Sequence, residues 1–362
     1  MYRSKAVPSK RSRPRGYRPS PEAKAVLHGH RPTKFLRSIA TALSDHSFLL
    51  LILGAGALLQ TSVIQGAWLL LAPLFWVLAA RFQRGLEVLV HEGSHYNLHR
   101  TPLGRAGKTN DRTTNWLAAY PTFSDVRTFR EAHLPHHNLF GTEHDPCFHR
   151  FARFDWQHLA RTKPLLFIRQ MAGQMGPYIW GWWSQVGTNW KVFLRGCLWH
   201  LLILALPLWA LLGSRGLLLW AWYWLVPFVV VLPVLRFVAE AGKHRYEDTE
   251  DVFDATVSNV GFIHRWYFHP HGDGYHLLHH MDATIPHHQL GRVHRLLLEV
   301  EPEYAARHCH RQSIFENVKI GEGILAGVGR RAPKPAAEPP TPGCSPKEVE
   351  TVVVASYHGG GA

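Results

Sequence analysis

Two long apolar blocks organise the chain. The first runs from Phe48 to Phe82 and carries no charge before Arg81. At about 35 residues it is too long for one membrane span, which needs about 20. The polar stretch from Gln60 to Gln65 divides it and predicts spans near 48–64 and 66–87. The second block, Val192 to Val238, is divided by Gly213-Ser-Arg-Gly216 and predicts spans near 196–212 and 217–238. Trp199, Trp209, Trp220, Trp222 and Trp224 edge these spans, as aromatic belts do at membrane interfaces. Each block therefore reads as a helical hairpin with a short outer turn and both ends on one side. Between the blocks, Met171–Trp190 is too broken by Gly and Pro for a span and reads as a helix lying at headgroup level.

Charge decides which side that is. Residues 1–37 hold eleven Lys or Arg against one acid, Glu22. A basic run so close to an apolar block stays in the cytoplasm under the positive-inside rule. It is too long and too proline-rich for a signal-peptide n-region, and no cleavage site follows. A nucleic-acid role has less to recommend it than a topogenic one. The expected organisation is a basic cytoplasmic arm over 1–45, a membrane domain over 46–325 and a disordered Pro/Ala/Gly-rich tail over 326–362. The expected fold is an all-α integral membrane protein whose four transmembrane helices form two hairpins under a cytoplasmic, histidine-rich cap.

The chemistry sits in that cap. Cys147, Cys197, Cys309 and Cys344 are scattered, with no CxxC pair, so metal binding falls to histidine. Three clusters supply it: His91-Glu-Gly-Ser-His95, His133-Leu-Pro-His136-His137 and His276-Leu-Leu-His279-His280. Spacings of three and four residues put each cluster on one face of a helix, able to aim at one point. Eight imidazoles exceed the needs of one tetrahedral zinc, which points to a multinuclear site.

The predicted topology brings the clusters into one compartment. From Gly66 to Glu87 the helix rises roughly 33 Å and crosses the hydrocarbon, so His91 and His95 lie just beyond the membrane. The fourth span emerges in the same way through Glu240 to His244, a plausible ninth ligand. Nine nitrogens suit two irons with open positions, but zinc and copper accept the same donors. Asp111, Asp145 and Glu240 are candidates either to orient ligand imidazoles or to cap local turns. Most other histidines, among them His264, His269, His294, His308 and His310, read as ordinary surface groups or as support behind the ligands. A metal transporter is a different class of reading. It would need ionisable ligands inside the hydrocarbon, where His200 is the only histidine of blocks 48–80 and 196–235.

In their order and spacing, HxxxH, HxxHH and HxxHH, interleaved with two membrane hairpins, the clusters resemble those of the membrane fatty acid desaturase and hydroxylase superfamily. The likeness covers roughly residues 45–300. It includes Asn110-Asp111, the stretch from Gly141 to Asp145-Pro146, and Ile285-Pro286 followed by Leu290 and His294. Gly274 departs from it, because the family often has Asn two positions before the third box. The segment Glu240 to His244 matches the family's extra-ligand segment loosely.

The resemblance implies a non-haem centre of two iron ions. It would use molecular oxygen to abstract hydrogen from an unactivated C–H bond of a lipid or acyl substrate in the membrane. Loss of a second hydrogen gives a desaturase, whereas oxygen insertion gives a hydroxylase or a ketolase, on lipid or carotenoid. Some family members act on modified amino acids. Electrons would come from a separate ferredoxin, or from a cytochrome b5 type donor with its reductase. His269-Pro-His-Gly272 is similar to a cytochrome b5 haem motif but stands without such a domain.

Overall fold

The computed structural model describes residues 18–61, 66–100, 106–140, 142, 144–246 and 252–321. Residues 1–17 of the basic arm, most of the first hairpin turn, Gly141 and the proposed tail lie outside the described residues.

Four helices among the described residues are long and apolar enough to cross a membrane, and the protein is an all-α integral membrane protein. After a short helix α1 (Pro21–Gly29), they are α2 (Phe35–Thr61), α3 (Ala67–Ser94) and, later, α8 (Trp190–Leu212) and α9 (Ser214–Ala241). Their outward faces remain apolar: Leu51, Leu58, Leu70, Leu211 and Leu218 are all exposed in the protein, as lipid-facing side chains are. Inward-facing Leu49, Leu53, Leu86, Leu89, Tyr223 and Trp224 form the bundle core. Gly216 lets α8 and α9 approach closely, because a Cβ there would collide with the backbone of Leu208.

Between the hairpins come α4 (Ala106–Thr114), α5 (Val126–Asn138), α6 (Pro146–Arg153) and α7 (Pro164–Thr188). Helix α7 covers the stretch expected at headgroup level, and its Leu165, Ile168 and Trp180 stay exposed. After α9 the chain forms α10 (His276–Met281), α11 (His287–Val300) and α12 (Pro302–Arg307). A small sheet joins β1 (Ser258–Asn259), β2 (Cys309–Arg311) and β3 (Lys319–Ile320), parallel between the first two and antiparallel between the last two.

Helix boundaries depart from the apolar pattern mainly at α2 and at α8, which begins at Trp190 rather than near 196. Helix α2 starts at Phe35, upstream of the apolar run, because the segment to Ser47 is a mixed helix with Ser38, Ala42 and Asp45 buried. Helix α3 is one unbroken rod of 28 residues, about 42 Å long. It exceeds the roughly 30 Å of hydrocarbon and carries His91 out on its last turn.

Candidate metal centre

All nine candidate histidines meet at one end of the bundle, in two adjoining groups. His91, His95, His133, His137 and His279 form one, and His136, His244, His276 and His280 form the other. Within each group every side chain offers a nitrogen lying within 4.8 Å of the others. The groups abut, with the rings of His137 and His280 stacked 4.4 Å apart.

The expectation that each box aims at one point is corrected for the two HxxHH boxes, whereas His91 and His95 fall in one group. Residues four apart on a helix differ by about 40° in direction, whereas adjacent residues differ by about 100°. His133 and His137 on α5 accordingly share the five-histidine group, and His136 turns to the other. On α10, His276 and His280 share the four-histidine group while His279 crosses. Each HxxHH box thus spans both groups.

His244 arrives by a different route from the one expected. Helix α9 ends at Ala241, and the backbone then leaves it to pair with residues 255–257. Arg245 N–H donates to Ala255 O and Val257 N–H to Lys243 O, both at 2.9 Å. That pairing aims His244 at His276, with their Nε2 atoms 2.9 Å apart.

The nitrogens converge tightly. His133 Nε2 lies 2.9 Å from His91 Nε2 and 3.0 Å from those of His95 and His137. His279 Nε2 lies 3.1 Å from His137 Nε2. One ring proton cannot serve three such neighbours, so lone pairs face one another in the absence of a cation. Ligands about 2.1 Å from one ion sit about 3.0 Å apart when their bonds meet at right angles, and about 3.4 Å apart in a tetrahedron. The observed separations fit the first arrangement. In the other group, the buried Nε2 atoms of His136 and His280 have no hydrogen-bond partner. The donor set therefore fits metal.

Electrostatics keep it ready. Burial pushes the imidazoles of His133, His137, His244, His276, His279 and His280 well below their ordinary pKa, and His95 down to about 3. They are neutral at pH 7, the form that binds a cation. His136 is the exception: burial opposes its charge, but Cys147 and Asp145 draw it up to about 9. Its Nδ1 donates to Asp145 Oδ1 at 2.8 Å, and Tyr246 OH donates to Asp145 Oδ2 at 3.1 Å.

The acids named from sequence divide in role. Asp145 supports a candidate ligand. Asp111 instead pairs with Arg130, whose guanidinium donates to Gly93 O and Ser94 O at the end of α3. Glu240 pairs with Arg150 at 3.2 Å. Sequence reasoning passed over Asp273. Its carboxylate lies 3.8 Å from His91 Nδ1 and accepts from Arg84, Lys243 and His269. Its place three residues before the third box was the available signal. Of the remaining histidines, His264, His269, His294, His308 and His310 are buried rather than superficial.

The sequence model of the family described as fatty acid desaturase matches residues 66–312, which span every helix that bears a candidate ligand. A relative from Bradyrhizobium elkanii, dihydrorhizobitoxine desaturase, is 24% identical over 262 residues, 65% of this chain and 70% of that protein.

Proposed function

The chain belongs to the fatty acid desaturase family, and on that premise we propose an O2-dependent di-iron desaturase that places a double bond in a fatty acyl or related lipid chain. The carrying observation is the separation of nine histidines into groups of five and four, bridged by both HxxHH boxes. In this reading the five-histidine group holds one iron and the four-histidine group the other. Bound there, the irons would supply O2 activation at an unactivated C–H bond.

The chain's own contribution is orientation and exclusion of water. Asp145 holds the Nδ1 proton of His136, so that its Nε2 faces the second group. Asp273 stands behind His91, its charge balanced by Arg84 and Lys243. Phe129 lies against His133, and Phe140 against His244 and His280, lining the centre with rings. Four of the five histidines in the first group are half-buried, whereas three of the four in the second are fully buried. Substrate and oxygen would approach from the first. The basic arm supports a cytoplasmic position for the centre, where a ferredoxin or cytochrome b5 type donor with its reductase would deliver electrons. The name of the Bradyrhizobium elkanii relative favours desaturation over hydroxylation.

The test is expression with such a donor, followed by mass spectrometry of extracted lipids and by metal analysis. A new unsaturated chain and iron in both groups are expected. A hydroxylated product would reassign the reaction, and zinc with no product would overturn the redox reading altogether.

A further inference from the structure

Apart from the nine candidate ligand histidines, a groove lies between α2 and α3. On α2, Arg37, Thr41, Ser44, Phe48, Leu51 and Ala55 recur every three or four residues and so form one stripe. On α3, Phe75, Leu78 and Phe82 form the facing stripe. Between them lie two adjoining cavities of about 330 and 510 Å3, within the size range of small-molecule sites. Both are lined by Phe48, Phe82 and Arg81. The rings of Phe48 and Phe82 stack 4.6 Å apart at the waist. Trp266 closes one side, its backbone oxygen accepting from Arg81 Nε at 3.0 Å.

The groove changes character along its length. Its inner part is lined by apolar side chains in the spanning segments of both helices. The other end holds Arg37, Ser44, Asp45, Arg81 and His271. Asp45 is already engaged on both oxygens, by Arg81 at 2.9 Å and by His271 at 2.6 Å. Arg37 is exposed and forms no ion pair among the described residues. The polar mouth thus keeps a surplus positive charge. From Arg37 to Ala55 the helix rises about 27 Å, enough to pass from headgroup level deep into the hydrocarbon.

We propose that this groove binds one anionic amphiphile. Its carboxylate or phosphate head sits at Arg37 and Arg81, and its hydrocarbon chain lies past Phe48 toward Ala55 and Phe75. The site holds whether or not the histidine groups turn over a lipid, and its test needs no turnover.

The full chain in a nonionic detergent would be irradiated with diazirine-bearing oleate, phosphatidic acid or neutral monoacylglycerol, and the labelled peptides mapped by mass spectrometry. Oleate or phosphatidic acid should label 48–55 and 75–82 about tenfold more than the neutral probe, as a charge-assisted contact at the head would give. Whichever of the two labels more identifies the head as carboxylate or phosphate. Arg37→Gln should erase that preference, and Ala55→Trp should remove labelling by filling the apolar end. Metal content equal to the wild type would show that both variants are folded; if Ala55→Trp is not, Leu51→Trp at the exposed rim replaces it. Equal labelling by all probes, or labelling unaffected by both substitutions, would overturn the site and leave only lipid contact at the bundle surface.

Discussion

His136 and His137 are adjacent in the chain, yet their imidazoles belong to different histidine groups, with ring centroids 5.5 Å apart and planes at 63°. The turn of about 100° between successive helical residues makes α5 a partition between two candidate metal positions. The same device recurs at His279 and His280 on α10. Two short helices thereby hold both groups at a fixed separation.

A first prediction follows from that division. His137→Ala should empty the five-histidine group and His136→Ala the four-histidine group, each leaving the other able to retain metal. Both should abolish turnover, because the proposed chemistry needs the pair. Metal analysis of each purified variant checks this, with intact membrane insertion as the control for folding. If either variant kept wild-type metal content, its histidine would not be a ligand.

Much of this was legible in the sequence because it depends on local spacing. Spans follow from the length of apolar runs, the eight box histidines from intervals of three and four residues, and His244 from where the fourth span emerges. What stayed hidden depends on chains meeting across the fold. The role of Asp273 comes from Arg84 of α3 and from Lys243 after α9, more than 180 and about 30 residues away in sequence. The exit of His244 from α9 depends on backbone pairing with residues 255–257. The burial of His294 and His308 follows from packing with Tyr304, which no periodicity announces.

Asp145 offers a second prediction. Its Oδ1 accepts both from His136 Nδ1 and from the backbone N–H of Cys147, where it caps α6. Asn is an equally good cap, so Asp145→Asn preserves the helix start while removing the negative charge behind His136. Metal affinity should fall about 10- to 100-fold with little change in fold, as a competition titration against a chelator would show. Wild-type affinity in Asp145→Asn would mean that the carboxylate charge does not tune the ligand.

Gly274 gives a third. Its backbone oxygen accepts from Asn259 N–H at 2.7 Å, and a Cβ at Gly274 would collide with Asn259 O on β1. A side chain there must push β1 away from the start of α10 and the third box. Gly274→Asn should cost about 1–3 kcal/mol and loosen metal retention, read as a lower unfolding midpoint and faster loss to a chelator. A variant as stable and metal-retentive as wild type would show that β1 can yield.

The last prediction concerns acid. Burial lowers the pKa of His264 and His294 to about 3 and that of His308 to about 2. Their unfolded values lie near 6.5. Between those limits the unfolded chain binds protons that the folded chain refuses, so stability rises with pH. The contribution is complete above about pH 6.5 and is lost as pH falls toward the folded values, at about 1.4 kcal/mol per imidazole per pH unit. His308 isolates the effect. Its ring stacks on Tyr304 and His310, at 5.4 and 4.8 Å, and neither nitrogen has a hydrogen-bond partner. His308→Phe keeps the stacking and removes the titration. Unfolding free energies of metal-free protein, measured between pH 7.5 and 5.5, should fall in both proteins, less steeply in the variant by the share of one imidazole. Identical slopes would show that His308 takes up its proton without opening the fold.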